Sequence, residues 1–407
     1  MRRLELFALA FAAGPAWAQL PATVTLDEAL SIVARSPRVV AAERDADAAR
    51  AERVTAGALP NPNFSLGTSR LAGGERTVFD ANSQQQATVE LPIPVFGQRE
   101  ARVRAAERQV GRADSQVRLT VSETRRQAAL EFARLLQAQE GLAARRAALG
   151  EIERIRGLVS GRLESGMASR YDLARADAEL ALAGVAVQRA EAEVSGHAAA
   201  LAALADASGW RPRAAGALQA MQVGPGSQPD AEAMLAANPA ARVARDDSAA
   251  AEARIELARR ERLPVPSVSF GRSWTSGPFG AANFIGLSSE IPILDSKRGL
   301  EDKARADAAA ARERERAANA ALRAEYQKQR DALQVRRDAL RRFDADVSGR
   351  QGAFLEMAES AYRLGRGTLF ELLDARRTQL EAAVARLELL GAIVEAELEL
   401  RALAGEL

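Results

Sequence analysis

The feature of this sequence that most limits its fold is a strand-to-helix junction that occurs twice. Residues 89–99 read Val-Glu-Leu-Pro-Ile-Pro-Val-Phe-Gly-Gln-Arg. Leading into them, Gln86, Thr88 and Glu90 alternate with Ala87, Val89, Leu91 and Ile93. That is the period of a strand with one wet face and one apolar face. Pro92 and Pro94 then stop sheet pairing, because neither has an amide hydrogen for a ladder. After Gly97 the pattern turns helical. The junction returns as Glu290-Ile291-Pro292-Ile293, again followed by a long Arg/Ala/Glu-rich helix. Two such junctions imply a duplicated plan.

The first repeat covers residues 19–206. Thr25-Leu-Asp-Glu28 is a capping box that opens a helix running to Leu59-Pro60-Asn61-Pro62. A β-hairpin over 63–93 follows, with Gly73-Gly74 and Asp80-Ala81-Asn82 supplying the turn chemistry. Residues 97–163 form one long helix. Val103, Val110 and Val117 are seven apart; after a four-residue step, so are Val121, Ala128, Leu135, Leu142 and Leu149. This is a coiled-coil seam with one stutter, and at 1.5 Å per residue a rod of about 100 Å. A turn at Gly166 and a second capping box, Ser169-Arg-Tyr-Asp172, lead into a return helix over 169–205. Residues 207–229 are rich in Gly and Pro, aperiodic, and read as a linker.

The second repeat, residues 230–407, has a helix to about 263, a hairpin at 267–291 and a long helix at 296–363. Its seam runs through Tyr326, Leu333, Leu340, Val347, Phe354 and Ala361. A turn at Gly365 and Gly367 and a Thr368–Glu371 cap open a return helix at 369–404. Gly166 corresponds to Gly365, and Asp172 to Glu371.

Residues 1–18 read as a cleaved secretory signal: Arg2 and Arg3, an apolar Leu4–Ala13 stretch, and Ala16-Trp17-Ala18 before Gln19. The chain has no cysteine, which excludes disulfides, thiolate metal sites and a lipid anchor at the cleavage site. Lys and Arg total 56 against 54 Asp and Glu, and the signs interleave, which is not a nucleic-acid footprint.

A lone two-stranded hairpin is marginal in water. Here Phe64, Phe79, Phe270, Trp274, Phe279 and Phe284 fall within the hairpins, six of the chain's 18 aromatics. Two arrangements suit them: a small soluble sheet over the helix ends, or apolar-out, polar-in strands of a membrane barrel. The barrel reading requires several copies, since four strands cannot close and about eight is the small end.

The order of elements resembles the TolC-type outer-membrane efflux proteins. The resemblance covers residues 26–404 and rests on Leu26-Asp-Glu-Ala-Leu30, Leu59-Pro-Asn-Pro62, Glu90-Leu-Pro-Ile-Pro94 with Gly97-Gln-Arg99, and Tyr362-Arg-Leu-Gly365 before Leu372-Leu-Asp374-Ala375. It implies a mostly α, TolC-like fold with a small β part. Long coiled-coil helices would build an α-barrel, and four strands per chain would enter a trimeric, 12-stranded transmembrane β-barrel. The implied partners are two further copies of the chain, outer-membrane lipid, a periplasmic adaptor and an inner-membrane RND-type pump. The Pro-Val-Phe-Gly-Gln-Arg junction looks most like the heavy-metal (cobalt–zinc–cadmium) branch. Pro92, Pro94, Gly97 and Pro292 would then be barrel-to-tunnel hinges.

The resemblance also implies a gate at the helix–turn–helix ends, formed by Asp172, Tyr362, Glu371 and Asp374. Tyr362 would hydrogen-bond near Asp172 in the closed state, and the carboxylates would ring the pore and favour cations. Asp172 and Glu371 are also placed to cap helices; Asp374 is not. Gly166, Gly365 and Gly367 are read as turn residues. Where the family pattern can carry a basic residue in the second turn, this chain has Gly367, with Arg366 beside it.

No cofactor and no catalytic constellation is expected. His197 is the only histidine, so neither a histidine triad nor a multi-histidine metal site can be built. The charged runs at 299–316 and 334–342 read as solvated faces. The alternative to an efflux duct is a periplasmic coiled-coil adaptor.

Overall fold

A computed structural model of the chain describes residues 20–70, 83–220, 230–275 and 280–407. The signal segment, the turn residues 73–82, Phe79, Phe279 and residues 221–229 lie outside them. In chain order the elements are β1 (Thr23–Val24), α1 (Leu26–Val33), α2 (Pro37–Gly57), β2 (Asn63–Arg70), β3 (Ser83–Pro92), α3 (Gln98–Glu164) and α4 (Arg170–Leu204). Then come β4 (Arg213–Ala214), α5 (Ala231–Ala237), α6 (Pro239–Glu261), β5 (Ser267–Thr275), β6 (Ala281–Ser288), α7 (Arg298–Phe343), one π-helical turn (Asp344–Ser348), α8 (Gly349–Arg363) and α9 (Leu369–Leu403).

The helix preceding each hairpin is split in two. Pro37 begins α2 and Pro239 begins α6; proline at a first helical position lacks only an amide hydrogen that would be orphaned anyway, but it cannot continue the helix before it. Asn238 accepts from the amides of Ala240 and Ala241 at 2.9 and 3.0 Å, and caps α6 across the break. At each junction the residue entering the long helix is left-handed: Gly97 has φ 78° and Lys297 φ 52°. Lysine there is held locally. Its amide donates to Asp295 at 2.8 Å, and its Nζ donates to the Glu261 carbonyl at 3.3 Å.

The chain forms two compact units, and both are discontinuous. The sheet unit is Pro37–Glu123, Val223–Arg330 and Leu400–Leu407; the helical unit is Met1–Ser36, Thr124–Gln222 and Asp331–Glu399. Each unit draws on both repeats.

In the sheet unit, four antiparallel strands lie in the order β2-β3-β5-β6, so the two hairpins share one sheet. Register places Phe64, Val89, Phe270 and Ile285 in one row, and Leu91, Val268 and Leu287 in the row beside it. This face is open, and apolar in these two rows: Phe64, Val89, Phe270 and Ile285 are 41 to 71% exposed, while Arg272 and Asn283 stand in the row on the other side of them. The opposite face carries Ser65, Gln84, Gln86, Thr88, Glu90, Ser269 and Ser273. Phe284 on that face lies over Gly271, where a Cβ would overlap its ring. β6 ends at Ser288, short of the expected 291, because its partner β5 begins only after Pro264 and Pro266.

The sheet unit's helices are joined by small residues and charge. Ala251, Ala308 and Ala311 pack together with Ile255. Arg38–Glu123, Arg50–Asp114 and Arg53–Glu107 join α2 to α3. Glu301, its side chain only 5% exposed, meets Arg259, Arg262 and Arg305.

The helical unit has a core of its own. Val24, Val33, Phe132, Leu135, Leu201 and Trp210 are buried in it. β1 pairs in parallel with β4, and Trp210 Nε1 donates to the Pro21 carbonyl at 2.8 Å. Gln139 brackets Ala214, donating to its carbonyl and accepting from its amide, both at 2.9 Å. The described part of the segment read as a linker, 207–220, is therefore packed. Its apolar residues Trp210, Ala214 and Leu218 enter the core, Ala214 as part of the two-residue β4.

Candidate functional site

The sequence-derived gate residues all fall in the helical unit, at the ends of the α3–α4 and α8–α9 hairpins. The two turns are built alike. Gly166 has φ 73° and Gly365 φ 70°. Met167 N donates to the Arg162 carbonyl at 2.7 Å, and Arg366 N donates to that of Ala361 at 2.9 Å. Each is the six-to-one bond of a Schellman ending, with glycine at the left-handed position. Gly367 has another reason to be glycine: a Cβ there would stand 3.0 Å from the Ala361 Cβ.

After each turn a carboxylate caps the return helix. Asp172 accepts from the amide and hydroxyl of Ser169 at 2.9 and 2.7 Å, and the Asp172 amide donates back at 3.1 Å. The Ser169 amide and then its hydroxyl hold the Asp172 carboxyl below its ordinary pKa. Glu371 accepts from the Thr368 amide at 2.8 Å. Asp374, one turn further, pairs with Arg377 at 2.9 Å.

Tyr362 differs from these three. It is 6% exposed and packs with Ile155, Val159, Leu369 and Leu372 in an apolar cluster between the hairpins. It makes no hydrogen bond to Asp172, whose carboxylate is taken up by Ser169. Its carbonyl accepts from Arg162 Nη1 at 2.5 Å, and the same guanidinium stands 4.7 Å from its ring centroid. Burial raises the Tyr362 pKa, and the Arg162 charge opposes that shift.

Several residues here were not singled out in the sequence. Arg175 of α4 lies over Phe370 of α9 at 5.1 Å. Deeper in the unit, Glu359 meets Arg154 at 2.8 Å, Arg363 at 2.7 Å and Arg376 at 3.6 Å, while Glu151 meets Arg154 and Arg376 at 3.0 Å each. Arg363 and then Arg154 hold the Glu359 carboxyl below its ordinary pKa. The arginines resemble any solvated coiled-coil face, so only the three-dimensional pairing separates them from their neighbours.

The hinge prolines belong to the sheet unit. Pro92 is the last residue of β3, and the amide of Ile93 donates to the Pro266 carbonyl at 2.8 Å. Pro94 and Pro292 line a cavity of about 350 Å³ with Pro60, Pro264, Gln98 and Arg102. Gln98 Nε2 reaches the carbonyls of Leu263 and Pro264 at 3.4 and 3.3 Å, where α6 has just ended.

Among the described residues no group of three His, Asp or Glu could hold a metal ion, and no helix is long and apolar enough to cross a membrane. His197 Nδ1 lies 3.0 Å from Glu131.

A family model described as outer membrane efflux protein matches residues 29–207 and 231–406. No curated protein sequence matches the chain. Solved structures do. The outer-membrane channel OprN is 20% identical with a TM-score of 0.78, covering 94% of this chain and 90% of its own. CusC, described by conformational changes accompanying folding and transmembrane channel formation, is 17% identical with a TM-score of 0.80, covering 97 and 95%. The open state of the MtrE outer membrane channel of Neisseria gonorrhoeae is 18% identical with a TM-score of 0.75, covering 94 and 89%. The family model covers both repeats and nearly every described element, and on that ground the chain belongs to the outer membrane efflux protein family.

Proposed function

We propose that three copies of this chain form a passive outer-membrane duct, fed by a periplasmic adaptor and an inner-membrane RND-type pump. The observation that carries this reading is the four-stranded sheet. One face is mostly apolar and uncovered, the other mostly polar, and β2 and β6 are the sheet's edges. Lipid tolerates no open edge, and four strands are too few to close. Three copies supply twelve strands, turn the apolar face to lipid and line a lumen with the Gln86, Thr88 and Glu90 face. The helices then continue into the periplasm as a tunnel.

Metal cations are the proposed cargo, an assignment that rests on the Pro-Val-Phe-Gly-Gln-Arg junction. The ions would be passed rather than held, since soft ligands are lacking. Asp172, Glu371 and Asp374 would line the tunnel's periplasmic end, and Tyr362 would belong to its closure. The test is fractionation followed by electrophoresis. The protein is expected in the outer membrane as a heat-labile trimer that forms cation-preferring channels in planar bilayers. A soluble monomer without channel activity would refute the reading, and metal sensitivity of a deletion strain tests the cargo.

A further inference from the structure

We infer that the cavity at the strand-to-helix junction holds the headgroup of a zwitterionic aminophospholipid, with the phosphate on Arg102 and Lys297 and the primary ammonium on Glu261 and Glu290. The inference rests on the duct reading above, which puts this junction at the membrane boundary. It adds a ligand class and a place for it.

The cavity, of about 350 Å³, lies where α2 and α6 have ended and α3 and α7 begin. That is the small end of the range for ligand sites, about 300–1,000 Å³. Pro60, Pro94, Pro264 and Pro292 form part of the wall, and proline has no amide hydrogen to offer a ligand. Recognition is therefore left to side chains. Five charged ones line the cavity, and Arg262 is taken by Glu301 at 2.5 Å. The other four are Arg102, Lys297, Glu261 and Glu290, two of each sign. Among the described residues none of these four is in an ion pair. Arg102 Nε is shut off from solvent with no hydrogen-bond partner, and an enclosed donor calls for an acceptor. Opposite charges that share a cavity without pairing are satisfied together by a ligand that bears both signs.

Lys297 sharpens this. It is held at φ 52°, where the first repeat has Gly97 at φ 78°. Glycine would make that turn without strain, so the lysine is kept for its side chain. Nζ spends one hydrogen on the Glu261 carbonyl at 3.3 Å and has two left for a phosphate. The segments that give Pro94 and Pro292 to the cavity also carry exposed apolar residues: Ile93, Val95 and Phe96 before α3, and Ile291, Ile293 and Leu294 before α7. Acyl chains have a surface there, next to a headgroup pocket.

The test is lipid binding to the detergent-purified protein, read by native mass spectrometry and by thermal shift. Short-chain phosphatidylethanolamine is expected to bind once per chain. It should bind about tenfold more tightly than phosphatidylglycerol, which lacks the ammonium, and than phosphoethanolamine, which lacks the chains. Arg102→Gln and Lys297→Gly should each weaken it about tenfold. Glu261→Gln with Glu290→Gln should erase the preference over phosphatidylglycerol. Without lipid, Lys297→Gly should melt no lower than the parent, so its weaker binding is not a folding defect. Lys303→Gln, at an exposed position of α7, should bind as the parent does. Equal binding of the two lipids, or unchanged binding in Arg102→Gln and Lys297→Gly, overturns the proposal. So does free phosphoethanolamine binding as tightly as the lipid. If the protein giving such a result is still a heat-labile trimer that forms bilayer channels, the duct reading stands and the lipid site alone is lost. A soluble monomer removes both.

Discussion

Two glycines in long helices make different predictions. Gly391 is buried in α9, and a Cβ there would overlap the carboxamide of Gln137 of α3, the mobile end of a half-buried side chain. Gly391→Ala should therefore gain less than helix propensity alone would give, because Gln137 must swing aside, read from denaturant midpoints. Gly184 in α4 has nothing within 4 Å of its missing Cβ. Gly184→Ala should raise stability by about 0.5–1 kcal/mol through helix propensity alone. Equal effects at the two sites would contradict the packing. Asp172 and Glu359 predict the acid response. Both have folded pKa values below their ordinary ones. Their stabilisation is complete above the unfolded pKa, near pH 4, and is lost as pH falls through the lower folded value. Melting temperature should drop across that window, and less steeply in Asp172→Asn and Glu359→Gln. At this scale the sequence was partly legible. Asp172 and Glu371 were found because capping is local and leaves a three-residue spacing. Arg162 was not, because its partner is 200 residues away and neither position breaks the helical pattern.

At the scale of elements, the long helices and both hairpins could be read because their periods, near 3.5 and 2, persist over many residues. The breaks at Pro37 and Pro239 were missed, since proline at a first helical position leaves the apolar pattern on either side intact. β4 and the packing of 207–220 were missed because a two-residue strand has no period; it exists through Gln139 and Val24. The sheet makes the sharpest test. Val89→Asp puts a carboxylate in the middle of the Phe64–Phe270–Ile285 row. A charge on a lipid-facing strand is destabilising, by up to about 2–4 kcal/mol for arginine or lysine at mid-depth and by less for a carboxylate nearer the rim. The variant should lose the heat-labile trimer while keeping its helical circular dichroism, whereas Thr88→Asp on the opposite face should assemble. Equal tolerance of the two would argue for a sheet that meets water on both sides.

At the scale of the whole molecule, ion pairs join the helices of the sheet unit beside its alanine contacts. Exposed ion pairs such as Arg53–Glu107 are each worth at most about 1 kcal/mol and are screened by salt. Glu301 is different, its side chain enclosed by three guanidinium groups. Glu301→Gln should lower the melting temperature far more than Glu107→Gln, and high salt should narrow the gap little; matching losses would place Glu301 among the ordinary surface pairs.

The discontinuity of both units also sets the order in which the chain can fold. Val24 leaves the ribosome long before Ala214, its strand partner. Strand β3 must wait for β5, and the helical unit is incomplete until residues 331–399 have emerged. Contacts between such distant residues form slowly and leave apolar surface open meanwhile. The nascent chain therefore carries the Val89–Phe270 pairing unmade and the first hairpin's apolar face open, the kind of surface that holdase chaperones bind. Its yield should depend on them more steeply than its final stability would suggest.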